Sequence, residues 1–173
     1  MIDRQPVLTG DLVHLRPLRP DDWDALYAVA SDAELWALHP AHDRWREDVF
    51  RRFFDEALAS GGALVILDRA TGAVIGSSRY ANHRPDLDRV EIGWTLLARS
   101  HWGGTVNREV KRLMIGHMLR QVPTVVFRVG EANLRSRRAL EKIGAVLTDE
   151  TDAADVGGRR VVHVVYAIDR VPL

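Results

Sequence analysis

The stretch "HWGGTVNREVKRLM", residues 101–114, joins two adjacent glycines directly to a segment with helical periodicity. The apolar residues of this segment recur at the spacing of one helix face: Val106, Val110, Leu113, Met114 and Met118. A helix start that follows a glycine turn presents unpaired backbone N–H groups and the positive end of the helix dipole to one point. The stretch therefore predicts an anion-binding loop, with a tight turn that binds nothing as the alternative.

Seven strands and four helices are predicted around this loop. Their order is strand, two helices, three strands, helix, strand, helix and two strands. The predicted strands are "VLTGDLVHLRPL", "ALVILD", "AVIGSSRYA", "RVEIGWTLL", "PTVVFRV", "VLTDET" and "VVHVVYAI", and the helices cover residues 20–30, 43–62, 106–118 and 133–145. We expect one mixed α/β domain over residues 1–173, built on a largely antiparallel sheet.

Two further features of this pattern are specific enough to test. Short connections between the three middle strands predict an antiparallel meander, and the apolar run "VVFRV" predicts a strand that is buried on both faces. In the helix of residues 43–62, one face is predicted to carry Trp45, Val49, Phe53 and Ala57.

Composition excludes several classes of function. The 24 basic and 24 acidic residues cancel, which argues against binding nucleic acid or anionic lipid through bulk charge. There are no cysteines, so disulfides and thiolate metal sites are excluded, and the histidines lack the spacing of a metal site. No apolar run is long enough to cross a bilayer, and the first ten residues lack a signal core. We expect a cytoplasmic protein without a metal, a nucleic-acid partner or a membrane partner.

A second helix start lies about 28 residues after the first, directly behind the strand "VVFRV". By itself "NLRSRRALEKIGA" is an ordinary capped helix, opened by Asn133 and closed by Gly144. Together, "VEIGWTLLARSHWGGTVNREVKRLMIGHML" and "VVFRVGEANLRSRRALEKIGAV" resemble the central motifs of the GNAT superfamily of acyl-CoA-dependent N-acyltransferases. The resemblance is closest to the branch that contains the ribosomal-protein alanine acetyltransferases, and "LTGDLVHLRPLRPDDWDALYAV" is similar to the opening of that branch.

The resemblance implies acetyl-CoA as co-substrate and a sheet that splays between the fourth and fifth of the seven predicted strands. The pyrophosphate loop of the family falls on Trp102, Gly103, Gly104, Thr105, Val106 and Asn107. The match is imperfect, because Trp102 replaces a polar residue, Thr105 stands at the central glycine and Asn107 closes the loop. The pantetheine arm would pair with the backbone of Trp94, Thr95 and Leu96 and contact Asn133. Ser136 would lie beside the cofactor sulfur, and Arg138 is a further cofactor-binding residue that the resemblance implies.

Two residues are candidates for the chemistry of amine acetylation. The attacking amine must lose a proton, and Glu91 is the predicted base because its apolar neighbours would keep its carboxyl group from water; a solvated strand carboxylate is the alternative. Other possible bases are His39, His42, His83 and His101. Many family members place a tyrosine in the second helix as the acid that protonates the leaving thiolate, but Leu140 stands at that position. Ser136 is the nearest replacement, and departure of the thiolate without an acid is the alternative.

The acceptor amine is left open by the sequence. By resemblance, the acceptor pocket would include Trp36, His39, Arg79 and Tyr80, and the acceptor would be a protein amino terminus or a small-molecule amine. A homodimer is compatible with this reading. The competing hypothesis is a protein of the same fold that binds acyl-CoA as a sensor or assembly module and transfers nothing.

Overall fold

The computed structural model describes residues 1–156 and 158–173, and these form eight strands and four α-helices. The strands are β1 (Leu8–Thr9), β2 (Val13–Pro17), β3 (Ala63–Asp68), β4 (Val74–Arg84), β5 (Arg89–Leu97), β6 (Thr124–Gly130), β7 (Val146–Val156) and β8 (Arg159–Ile168). The helices are α1 (Trp23–Ala30), α2 (Glu47–Ala59), α3 (Val106–Met118) and α4 (Leu134–Lys142). The predicted mixed α/β class is confirmed. None of these helices combines the length and hydrophobicity that crossing a bilayer requires.

All eight strands lie in one sheet, in the order β1-β2-β3-β4-β5-β6-β8-β7. Every neighbouring pair is antiparallel except β5 and β6, which are parallel. Successive residues of a strand point to opposite faces, and β3 shows this clearly. Its Leu64 and Ile66 join a core with α3 and α4, whereas Ala63 and Val65 join a core with α1 and α2. The sheet therefore has a helix layer on each face.

Strands β5 and β6 separate soon after they begin to pair. Their register covers only Arg89 to Glu91 of β5 against Thr124 to Val126 of β6. Further along β5, an irregularity in its pairing with β4 leaves extra residues opposite Ser78, and Trp94 there has a left-handed backbone with φ of 51°. A bulge of this kind bends a strand and interrupts its pairing. The predicted splay is thus present, and the bulge at Trp94 gives its physical reason.

Helix α3 is held under the sheet by an apolar stripe and by one carboxylate. Val110, Met114, Ile115 and Met118 are buried in the core. Glu109 lies in the first helical turn, and its carboxylate points to the connection between β1 and β2. There the carboxylate accepts hydrogen bonds of 2.8–2.9 Å from the backbone N–H groups of residues 11–13. These contacts determine where the amino terminus of α3 lies.

Three details of the sequence prediction were wrong. The first predicted strand is two short strands separated by a turn, which raises the number of strands to eight. Helix α2 begins only at Glu47, so Trp45 precedes it and is 42% exposed, while Phe50, Phe53, Phe54 and Ala57 form the buried face. The run "VVFRV" is not buried on both faces, because Arg128 points away from the α3 core and is exposed.

Candidate functional site

A cleft of about 540 Å³ opens where β5 and β6 separate. Its walls come from the bulged half of β5, from β6, from the first turns of α3 and α4, and from the loop that precedes α2. The cleft thus passes from the amino terminus of α3 on one face of the sheet to the α1 and α2 layer on the other.

The helix start at one end of the cleft supports anion binding. Gly103, which lines the cleft, has a φ of 72°, a conformation that favours glycine. The next residue, Gly104, is exposed, and a Cβ atom there would meet nothing within 4 Å. The Thr105 side chain does not cap α3, so side-chain capping leaves the first N–H groups of the helix free for a ligand. The Arg135 guanidinium lies 3.7 Å from the centre of the Trp102 ring and adds positive charge.

The middle of the cleft has the chemistry that an amide-containing arm requires. Beyond Glu91 the edge of β5 that faces β6 pairs with no strand among the described residues, so backbone groups from Gly93 to Leu97 are available there. Asn133 is buried, and its side-chain oxygen accepts a hydrogen bond of 3.3 Å from the Ser136 N–H, which caps α4. The Ser136 side chain lines the cleft. These groups can form hydrogen bonds with an extended ligand that contains amides.

Lys111 is a buried cation between the separating strands. Its Nζ donates a hydrogen bond of 2.8 Å to the Thr95 hydroxyl on β5 and lies 5.4 Å from the centre of the Phe127 ring on β6. Thr95 in turn lies 2.8 Å from the Ser78 hydroxyl. Burial lowers the pKa of Lys111 to about 8. A positively charged hydrogen-bond donor, the Lys111 ammonium, therefore lies in the gap that a ligand would fill.

A polar cluster lines the cleft on the face that carries α1 and α2. Glu91 is only 3% exposed, and its carboxylate accepts a hydrogen bond of 2.7 Å from the Asn82 amide. The Arg128 guanidinium lies 3.7 Å from Glu91 and also forms an ion pair with Asp152. His163 Nδ1 is 3.3 Å from Asp152, and burial holds the pKa of His163 below its usual value. The Arg128 guanidinium therefore lies between two carboxylates, Glu91 and Asp152, and His163 lies beside the second of them.

The loop before α2 contributes the remaining wall. Trp36 is buried, and the His39 ring packs edge-on against it at 5.5 Å. Burial lowers the pKa of His39 to about 3, so its ring is neutral. Because His39 Nδ1 accepts a hydrogen bond of 2.9 Å from the Ala41 N–H, the ring proton lies on Nε2, which acts as a donor. The Arg44 guanidinium lies 5.2 Å from the Trp36 ring centre.

The structure brings most of the predicted site residues to this cleft. Its walls contain the following members of that set: Trp36, His39, Glu91, Trp94, Thr95, Leu96, Trp102, Gly103, Asn107, Asn133 and Ser136. Four others lie outside these walls at or near the two helix starts: Gly104, Thr105, Val106 and Arg138. Their predicted contacts with acetyl-CoA remain predictions.

Tyr80 does not fit the predicted acceptor pocket. It is fully buried on the α3 face of the sheet, where its hydroxyl donates a hydrogen bond of 2.8 Å to the Met114 carbonyl. Arg79, the preceding residue of β4, points to the opposite face and packs under Trp94, behind the cleft wall. Adjacent residues of a strand point to opposite faces, so both could not line one pocket.

Several charged or polar residues of the cleft were missed by the sequence analysis, including Asp152 and Arg135. Lys111 lies within the apolar stripe of its helix, beside Val110 and one turn before Met114 and Ile115, and this position was a signal of burial. Arg128 and His163 were each the polar residue among valines and other apolar residues of a strand. Arg44 lies in an irregular loop, where no periodicity could reveal it.

Within the described part of the chain, there is no group of three or more histidine, aspartate or glutamate side chains that could hold a metal ion. The absence of a metal therefore stays a prediction.

The family model described as "Acetyltransferase (GNAT) domain" matches residues 13–146. Among solved structures, a GCN5-related N-acetyltransferase from Brucella melitensis is 20% identical with a TM-score of 0.83, over 95% of this chain and 78% of that one. RimJ from Mycobacterium smegmatis, solved with CoA-disulfide, is 21% identical with a TM-score of 0.77, over 97% and 90%. An acetyltransferase from Agrobacterium tumefaciens is 24% identical with a TM-score of 0.70, over 95% of both chains. Identities this low show a shared fold, and no curated protein matches the sequence.

Proposed function

This chain belongs to the GNAT acetyltransferase family, and from that premise we propose that it transfers the acetyl group of acetyl-CoA to a primary amine by direct attack in a ternary complex. One observation carries the proposal: the cleft between β5 and β6 joins a helix start suited to phosphate with a buried carboxylate suited to an amine. Acetyl-CoA would enter from the α3 side, and the amine from the face that carries α1 and α2.

For acetyl-CoA binding, we assign the pyrophosphate to the turn of Gly103 and Gly104 and to the free N–H groups that open α3. The pantetheine arm would pair with the unpartnered edge of β5 at residues 94–96 and contact Asn133. Arg138 at the surface of α4 and Arg135 beside Trp102 would add positive charge near the phosphates.

For the reaction, we assign Glu91 as the base. The amine nitrogen attacks the thioester carbonyl carbon, a C–N bond forms, and the C–S bond breaks. Before the attack, the ammonium form of the substrate gives one proton to the Glu91 carboxylate, directly or through one water, because only the neutral amine has a free electron pair. The proton that the nitrogen loses as the amide forms balances the negative charge of the departing thiolate. The hydrogen bond from Asn82 and the nearby Arg128 guanidinium hold this carboxylate in one orientation. Glu91 is therefore a positioned base inside the cleft.

For the leaving thiolate, we assign Ser136 as the proton donor. Leu140 lines the cleft where many family members carry a tyrosine, and none of the described residues that line the cleft is a tyrosine. The Ser136 hydroxyl has no hydrogen-bond partner among the described residues, so it is free to face the sulfur. Departure of the thiolate without an acid remains the alternative, and the Ser136→Ala variant distinguishes the two.

The decisive experiment combines binding with turnover. Millimolar acetyl-CoA should raise the melting temperature, because a ligand that binds only the folded state stabilises it. A screen of amines with acetyl-CoA should then release coenzyme A thiol with at least one acceptor. A protein that binds acetyl-CoA but releases no thiol with any amine would be the sensor or assembly module instead.

The finer parts of the assignment stay predictions. The acceptor is expected to be a protein amino terminus or a small-molecule amine. A cytoplasmic location, a single domain and a homodimer are likewise expected and open to measurement.

A further inference from the structure

Two arginines flank one aromatic ring beside the amine side of the cleft. The Arg44 guanidinium lies 4.6 Å from the centre of the Phe53 ring, and the Arg79 guanidinium lies 5.5 Å from the same centre. Arg44 lines the cleft, and Arg79 lies directly behind the wall, 4.9 Å from the Trp94 ring. Two positive charges are therefore concentrated at this end of the cleft.

Neither arginine has an anionic partner among the described residues. The ion pairs of the described chain include neither Arg44 nor Arg79. Arg79 is only 6% exposed, and its Nε and Nη2 atoms are buried without any hydrogen-bond partner. A buried donor without a partner is costly, and more so when it is charged. An anion in the cleft would compensate the charge of Arg44, which lines it, while Arg79 would add positive potential from behind the wall.

In both groups burial lowers the pKa, and the charges of Asp43 and Glu56 near Arg44, and of Glu56 near Arg79, offset this shift only in part. Burial lowers the pKa of Arg44 to about 10, and the charge of Arg79 lowers it further in the same direction. Burial also lowers the pKa of Arg79. His39, which lines the cleft near Arg44, is neutral and offers its Nε2 proton as a further donor. Of the charged and polar side chains in the loop before α2, His39 and Arg44 line the cleft, whereas the Asp43 carboxylate is not among its walls.

Stacking on a ring does not by itself account for Arg44. Arg51 also covers an aromatic ring, at 3.3 Å from the Trp23 ring centre, but it lies on the exposed surface of α2, where water satisfies its donors. Arg44 instead faces the cleft, with its stem enclosed by protein. The planar guanidinium with its fork of donors suits a carboxylate.

We propose that Arg44, supported by Arg79 and His39, binds a carboxylate of the acceptor, so that the substrate is an amine that also carries a carboxylate. This inference rests on the proposed function, and it adds the class of acceptor. The amine of such a molecule would face Glu91, and its carboxylate would face Arg44, since both residues line the same cleft. The carboxylates of Glu91 and Asp152 both contact Arg128, and neither forms an ion pair with Arg44 among the described residues.

The test compares matched acceptors with acetyl-CoA as donor. A panel of L-amino acids is measured against the corresponding amino acid amides, with release of coenzyme A thiol as the readout. We expect kcat/KM to be roughly tenfold to a hundredfold higher for the amino acids than for their amides, because this is the effect on binding expected from one hydrogen bond between charged groups. Dipeptides such as Ala-Asp and Ala-Asn, each with an amidated carboxyl terminus, test whether a side-chain carboxylate serves as well.

Arg44 variants assign the preference to the proposed subsite. Arg44→Gln should lose the preference for carboxylates and leave the amides within about twofold, while Arg44→Lys should retain part of it. Arg51→Gln, the matched control, should behave like the wild type. If amides and carboxylates react equally in the wild type, or if Arg44→Gln keeps the full preference, the inference is overturned while amine acetylation stands.

Two further arms separate the other outcomes. Succinyl-CoA in place of acetyl-CoA tests whether Arg44 binds a carboxylate of the acyl group. If Arg44→Gln removes a preference for succinyl-CoA but leaves the preference among acceptors unchanged, the carboxylate belongs to the acyl chain and the inference is wrong. Thermal shift with coenzyme A plus N-acetylated amino acids or their amides needs no turnover. A shift that requires both the carboxylate and Arg44 supports the subsite even where no amine is acetylated, and equal shifts with both compounds contradict it.

Discussion

The ammonium group of Lys111 donates a hydrogen bond of 2.8 Å to the Thr95 hydroxyl, and so connects α3 to the bulged part of β5. The hydroxyl of Ser78 on β4 lies 2.8 Å from the same Thr95 atom. Burying a charged group is unfavourable unless polar groups compensate it, and here two hydroxyls and the Phe127 ring are the groups that do so. Because the ammonium of Lys111 is buried, the free energy of unfolding depends on whether Lys111 is protonated, and therefore on pH.

Replacing Lys111 with methionine should remove a pH-dependent part of stability. Burial lowers the pKa of Lys111 to about 8, against an ordinary value of 10.5. Between these values the unfolded chain binds more protons than the folded one, so the free energy of unfolding should rise with pH, by about 3 kcal/mol over the window. Denaturant unfolding without ligand should show this rise in the wild type and in Lys142→Met, an exposed control. An equal rise in Lys111→Met would show that another group is responsible.

Substitutions at the two glycines should separate turn geometry from ligand binding. Gly103→Ala should cost about 1 kcal/mol because its φ of 72° disfavours a side chain. Gly72→Ala, in a hairpin turn with φ of 74°, should cost as much, but only Gly103→Ala should weaken acetyl-CoA binding. Gly104→Val should leave stability nearly unchanged, since the space is open, and should reduce affinity for acetyl-CoA. Unchanged affinity in both variants of the 103–104 turn would indicate a turn that binds nothing.

Ser136→Ala should lower the maximal rate and leave affinity for acetyl-CoA nearly unchanged. A group that acts mainly on the departing thiolate contributes little to ground-state binding. The loss expected for one positioned acid is on the order of a hundredfold. Ser31→Ala, an exposed serine at the end of α1, serves as the control. A wild-type rate in Ser136→Ala would mean that the thiolate departs without an acid.

Glu91→Gln should lower activity most near neutral pH and less at higher pH. Glutamine keeps the size and the polar contact to Asn82 but cannot accept the proton of the amine. At higher pH more of the acceptor is already unprotonated, so part of the rate should return. The rate measured against pH for the wild type, Glu91→Gln and the exposed control Glu47→Gln tests this. Parallel profiles in all three proteins would remove Glu91 from the mechanism.

Local features of the sequence determined much of this protein. Helical and strand periodicity predicted the order of the elements, and Asn133 and Gly144 correctly marked the two ends of α4. The glycine turn before α3 and the polar residues Glu91 and Ser136 were also found, and they line one cleft. These features were predictable because capping, turns and amphipathic faces depend on residues close together in the chain.

Only the tertiary structure decided which side chains share the cleft. The bulge at Trp94 sets where β5 and β6 separate, and strand alternation places Arg79 and Tyr80 on opposite faces of the sheet. Lys111 is buried because α3 packs under the gap between the strands, and Arg44 lines the cleft because an irregular loop folds back over Phe53. Strand register and packing between distant segments control these positions, and no short stretch of sequence encodes them.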